Sequence, residues 1–291
     1  MPSNQLPKVK MIVLEVDEPH PDDQKEKGTL GEILEKHFIK AGEEHDPPLG
    51  IEVDMRYIVE EEGGKIPSVE EFKGVRGILI TGSMYDAHGD NPWILKLMDL
   101  IKRTSILKNQ RADGLEFWKT YPDMHFSGVC FGHQILCRTL GAKVGAAPSG
   151  DWELGHTKLS LHPIGKKLFK TSEDEIYLHQ MHQDTVFTIP EPESSDGILN
   201  PSQKVLAWGH SPHTKIQGVY LLNRLFTTQA HLAFDSAMVK REIQMRVKSG
   251  SIKDLKHADE ASETSHLEHD GDVVAGAILR FFHFEDDGVD A

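Results

Sequence analysis

Met124-His125-Phe126-Ser127-Gly128-Val129-Cys130-Phe131-Gly132-His133-Gln134-Ile135-Leu136-Cys137-Arg138-Thr139-Leu140 decides how this chain is read. Met124–Val129 is a strand-like run that leads straight into Cys130. Gln134–Leu140 has the character of a helix, stopped by Gly141. Between the two lies Gly128-Val129-Cys130-Phe131-Gly132, the G-x-nucleophile-x-G elbow. Such a turn is too tight for Cβ atoms beside the nucleophile, which is why glycine stands on both sides. It pushes the thiol out at the carboxyl end of the sheet, where open α/β sheets bind ligands. The helix N-terminus behind it is expected to favour thiolate and lower the thiol pKa. The same N-terminus aims the Phe131 N–H at a developing oxyanion.

Working outward, strands and helices alternate on the N-terminal side. Lys10–Val16, Ile51–Val59 and Val75–Thr81 read as strands, and Leu30–Ala41 and Trp93–Arg103 as helices, with Ser68–Phe72 a short one. This alternation implies crossover units and a mainly parallel sheet flanked by helices. Beyond Gly141 the runs shorten: Thr157–Leu161, Tyr177–Met181, Val205–Trp208, Gly218–Leu222 and Leu225–Gln229 predict further strands, an antiparallel extension. Phe234–Val247 predicts an amphipathic helix that Asp235 or Ser236 can cap, and Val273–Phe284 a final helix. Residues 1–291 are expected to form one domain. Residues 104–123 are a candidate insertion or lid, and 254–270 a polar loop or solvated helix face before the last helix.

The 291 residues carry 46 acidic against 32 basic side chains, a formal charge of -14. Such a surface repels phosphate backbones, so nucleic acid is not expected as a partner. No run approaches the roughly 18 apolar residues of a membrane span, and Met1–Lys10 lacks the apolar stretch of a secretory signal. A cytoplasmic protein acting on a small molecule is expected, without cofactor or metal, and with a homo-oligomer open. Cys130 and Cys137 are seven residues apart, roughly 10 Å on one helix, too far for a disulfide. Cys137 reads as a small packed hydrophobe.

A reactive thiol needs a base, most often histidine. Among 17 histidines, His231 is best placed, at the end of the strand-like Leu225–His231 and before a helix. His182, in HQMHQD, is second; His133 follows the elbow directly and reads as structural. His179, His182 and Asp184, or His266, Glu268 and His269, have no recognised zinc spacing and are read as rim or solvated side chains.

Gly128–Gln134 (GVCFGHQ) resembles the nucleophile motif of class I glutamine amidotransferases. Leu79–Ser83 (LITGS) resembles that family's oxyanion strand, Trp152–Gly155 (WELG) follows in order, and Met181–Val186 (MHQDTV) resembles the segment that touches the substrate glutamine. Thr228–Phe234 (TQAHLAF) stands where the base motif belongs. The resemblance implies a flavodoxin-like sheet and a thioester formed from a γ-glutamyl group at Cys130, with His231 as base. Gly82 and Phe131 would supply oxyanion N–H groups; Ser83, Gln134, His182, Gln183 and Asp184 would line the substrate pocket. No P-loop or synthetase domain accompanies the motifs, as in free-standing members such as γ-glutamyl peptidases. Hydrolysis or transfer of a γ-glutamyl amide or peptide is therefore the expected reaction.

One position departs from the pattern. The family usually follows its catalytic His with Pro and Glu; here Leu232 and Ala233 follow His231. Three readings stay open. A Cys–His dyad suffices; another acid, Asp184 or Asp235, substitutes; or the chain is a decayed, binding or regulatory relative. A biosynthetic enzyme using the pair for a different acyl or thiol step is a further alternative.

Overall fold

In the computed structural model, residues 6–102, 118, 121–286 and 289 are described. β1 (Lys8–Glu15) is buried from Met11 onward and sits inside a nine-stranded sheet. It pairs in parallel with β2 (Gly50–Tyr57) on one side and β3 (Gly77–Ile80) on the other. β4 (His125–Val129) continues the parallel block between β3 and β11 (Leu225–Thr228). The order β2-β1-β3-β4-β11 is the flavodoxin arrangement, with β11 as its fifth strand.

At β11 the sheet changes direction. β10 (Gly218–Leu221), β9 (Leu206–His210), β6 (Glu153–Leu161) and β7 (Glu175–His182) follow, each antiparallel to its neighbour. A small antiparallel ribbon, β5 (Val144–Ala146) with β8 (Asp184–Val186), lies beside them. The expected parallel sheet with an antiparallel extension is therefore what forms.

Helices cover both faces because β1 and β3, inner parallel strands, are apolar on both. α1 (Pro21–Lys27) and α2 (Leu30–Glu43) follow β1, the latter opened by a capping box of Thr29 and Glu32. α2 and α8 (Gly271–Phe282) bury Phe38, Val274, Ile278 and Phe281 on one face. On the other, α3 (Pro92–Lys102) and α4 (Phe131–Thr139) bury Trp93, Leu97, Phe131 and Ile135. α5 (Pro163–Phe169) packs near β9.

Residues 254–270, expected to be a polar loop or solvated face, contain α7 (Leu255–Thr264). Asp254 caps it by accepting from the His257 N–H at 3.0 Å. Ala258 and Ala261 are buried beneath its polar side, against the small cluster formed by α6 (Ser236–Ser249), Leu154 and Met181. Nearly all of the candidate lid at 104–123 lies outside the described residues; Trp118, which is described, stacks on Phe126 at 4.8 Å. Among the described residues no helix is long and apolar enough to cross a membrane.

Candidate active site

Cys130 joins β4 to α4 with φ 52° and ψ -105°, a conformation costly to any residue with a Cβ. Two backbone bonds hold the turn against the flanking strands: Cys130 N–H donates to Thr228 O at 2.9 Å and Gly132 N–H to Thr81 O at 3.2 Å. Both glycines are sterically required. A Cβ at Gly128 would lie 2.3 Å from the Gly132 carbonyl carbon, and one at Gly132 would lie 2.2 Å from Ile80 O. The elbow thus has the form its sequence implies. Cys137 is fully buried in the core, its Sγ 3.7 Å from His133 Nδ1. His133 itself is bound at Nδ1 to Thr227 Oγ1 at 2.7 Å, a structural role. Both thiols are free.

Gly82 and His231 converge on the same spot from β3 and β11. A Cβ added at Gly82 would meet His231 Cε1 at 2.9 Å and Cys130 Cβ at 3.5 Å, so only glycine leaves room there. The His231 backbone is pinned by its N–H donating to His179 O at 2.9 Å. Its ring stacks on Phe234, centroids 4.0 Å apart and planes 20° from parallel. No carboxylate among the described residues hydrogen-bonds that ring. Neither acid considered as a substitute for the missing Glu stands in for it. Asp235 caps α6 by accepting from Ala237 and Met238 N–H, and pairs with Lys27. Asp184 Oδ2 lies 2.8 Å from His88 Nδ1.

The electrostatics correct one sequence expectation. Burial pushes the Cys130 thiol up to about 12, outweighing Arg246, the Phe131 N–H and the Gln229 side chain, which act the other way. The helix N-terminus works in the expected direction, but desolvation is the larger effect. Burial likewise drives His231 down to about 3, helped by the charge of Arg246. At rest the thiol and the imidazole are therefore both neutral.

Cys130 opens into a cleft that Ser83, Gln134, His182, Gln183 and Asp184 also line. Gln134 Nε2 donates to Asp184 O at 2.9 Å and Gln229 Oε1 at 3.1 Å. Ser83 Oγ donates to Asp17 Oδ2 at 3.1 Å. Gln183 Nε2 donates to Gly150 O at 2.5 Å. His182 has no nitrogen to spare: Nδ1 faces Asp184 O and Nε2 faces Glu153 Oε2, each at 2.9 Å. Glu153 also accepts from Gln217 at 2.9 Å. Burial raises the Glu153 carboxyl, but the bond from His182 and its charge outweigh this and hold it below its usual range.

The glutamine amidotransferase class-I family model matches residues 118–243. A Saccharomyces cerevisiae protein named for the glutamine amidotransferases is 30% identical over 207 residues, covering 71% of each chain. The chain belongs to the class I glutamine amidotransferase family. Among other relatives of this family member, γ-glutamyl peptidase 3 of Arabidopsis thaliana is 25% identical over 248 residues, 84% of this chain and 85% of its own. The crystal structure of a Thermotoga maritima glutamine amidotransferase covers 96% of this chain and 99% of its own with a TM-score of 0.59. At 15% identity it bears on the fold alone.

Several residues of this amidotransferase site carry no local signal in the sequence. Gln229 stands two positions before His231, and period-2 alternation at the end of β11 was the available hint. Glu153 meets His182 only through the β6–β7 register. Arg246 reaches the cleft from α6, far along the chain. At the rim, Asp86, His88 and Asp184 bring three ligand-type atoms within 4.8 Å of one another, though His88 and Asp184 already bind each other.

Proposed function

We propose that this protein hydrolyses γ-glutamyl amides or peptides through a thioester at Cys130, with His231 as the base. The observation that carries the reading is the strained Cys130, which adjoins the same Gly82 backbone as the His231 ring. His182 is the weaker candidate because both of its nitrogens are engaged. The kinship with a γ-glutamyl peptidase supports the substrate class.

The neutral pair suits the first step. As the γ-carbonyl enters, the imidazole takes the thiol proton and the sulfur forms the C–S bond. The oxyanion develops between the Gly82 and Phe131 N–H groups, neither of which has a backbone acceptor among the described residues. The imidazolium then returns its proton to the leaving nitrogen as the C–N bond breaks. Water, deprotonated by the same ring, releases glutamate and restores the thiol. Phe234 holds the ring face-on where a carboxylate would otherwise hold it by its edge. Plain glutamine is accordingly expected to be a slow substrate.

The test is release of glutamate from glutathione, γ-glutamyl anilide and glutamine, with mass spectrometry for an acyl group on Cys130. An adduct elsewhere, or turnover that survives Cys130→Ala, overturns the mechanism. The second reading, a binding protein on a decayed site, is favoured by the carboxylate-free His231 ring and the raised thiol. Tight binding of the same compounds without any glutamate release would select it.

A further inference from the structure

We infer that Arg246 binds a carboxylate of the substrate, with Glu242 positioning it; the inference deepens the γ-glutamyl reading and rests on it for the substrate class. Glu242 and Arg246 lie one turn apart on α6, and both are more than nine-tenths buried, at 7% and 9% exposure. Arg246 Nη1 donates to the Glu242 carboxylate and, at 3.1 Å, to the Glu242 carbonyl. The guanidinium sits 5.6 Å from the centre of the Trp152 ring, which limits its swing. Nε and Nη2 find no acceptor among the described residues. Neither atom is sealed from solvent, so an acceptor carried by a substrate can reach both.

The donors face the right space. Arg246 lines both the cleft that holds Cys130 and the recess that holds His231. Among the described lining residues of those two spaces it is the one Lys or Arg, in company with Asp17, Glu18, Asp86 and Asp184. Although Glu242 also pairs with it, Arg246 is the one guanidinium or ammonium group among these lining residues that an entering anionic group can meet. The planar fork of a guanidinium matches a carboxylate two donors to two acceptors. A γ-glutamyl peptide carries two such groups, the α-carboxylate of the glutamyl residue and the C-terminal carboxylate of the leaving part.

The experiment compares γ-glutamyl-alanine with its two mono-carboxamides, one at each carboxylate, on the full-length wild type and on Arg246→Gln. Charge-assisted hydrogen bonds of this kind are worth roughly 10- to 100-fold in affinity. Arg246→Gln should raise KM for the diacid by that factor, and not raise it for the amide that lacks the recognised carboxylate. The amide that erases the difference names the carboxylate. A fall in kcat shared by all three substrates reflects the lost positive charge beside the thiol and is separate from this pattern. An equal KM rise on all three overturns the inference. If Arg246→Gln fails to fold with Glu242 left unpaired, the double variant Glu242→Gln/Arg246→Gln replaces it. If the wild type turns over none of the three, the proposed reaction fails by itself. Calorimetric binding of γ-glutamyl-alanine and of its two mono-carboxamides then decides the Arg246 inference. Weaker binding of the diacid by the variant, with one amide unaffected, supports it; unchanged binding of the diacid, or none to the wild type, overturns it.

Discussion

The two halves of the sheet bury different things. From β2 to β4 the interior is mostly apolar, with Met11, Ile12, Val13 and Leu14 of β1 and Ile78, Leu79 and Ile80 of β3 almost wholly inaccessible and His125 and Ser127 of β4 among its buried polar groups. From β10 to β7 the interior holds a polar chain: Gln180 donates to Gln217, Gln217 to Glu153, and Glu153 faces His182. On the proposed mechanism the parallel half presents the nucleophile, and its mostly apolar strands need nothing from the cleft to stay folded. The antiparallel half shapes the cleft with groups that must satisfy one another, so it is committed to its own network. β11 belongs to both, parallel to β4 and antiparallel to β10, and His231 leaves from this seam.

The comparison breaks first if chemistry does not track the parallel half. Cys130→Ser should abolish hydrolysis with the melting temperature little changed, whereas Cys137→Ser should leave kcat within a few-fold; mass mapping of limiting alkylation should find the adduct on Cys130. Equal labelling of both thiols would contradict the elbow. Next, His231→Asn should lower kcat by about 10²–10⁴-fold, the usual effect of losing a general base. His182→Asn should act on stability and KM instead; exchanged phenotypes would move the base into the antiparallel half. Third, Glu153→Ala removes one partner of a buried pair, a change that costs about 3–5 kcal/mol, readable as denaturant midpoint. A shift no larger than that of an exposed Glu175→Ala control would show that the network is not what holds that half.

The smallest effect is in pH. Burial depresses His125, His133 and His231 to about 3 and His179 to about 4, all below their unfolded values. As pH falls below about 6.5 the unfolded chain takes up protons that these rings in the fold refuse. Their stability contribution is thus complete above about 6.5 and is lost progressively down to about 4 for His179 and about 3 for the others. Each ring can add up to about 1.4 kcal/mol per pH unit to the slope. His179→Phe should flatten it by that amount, since both ring nitrogens of His179 are buried without partners. An unchanged slope would place the acid lability outside the rings named here.

What the sequence made legible follows the same divide. The elbow is a five-residue covalent pattern, and Gly128 and Gly132 are required by contacts that lie within it or one strand away. Ala233 stands beside the residue it concerns, so the missing carboxylate was visible directly. The Glu153–His182 pair was hidden because a cross-strand register joins residues 29 apart. α1, with the sequence PDDQKEK, offers no apolar stripe to read. The thiol's pKa went astray for a related reason: a helix N-terminus can be read from local order, while desolvation depends on everything packed around the sulfur.

The left-handed φ of Cys130 sets stability and function against each other at one position. Glycine adopts φ near +50° without steric penalty, whereas cysteine does not. A chain released from selection for activity would gain stability by losing its nucleophile, and Cys130→Gly should melt higher than the wild type. On the proposed mechanism a cysteine kept there is held by what its sulfur does, since the backbone would be better served by a residue with no side chain at all.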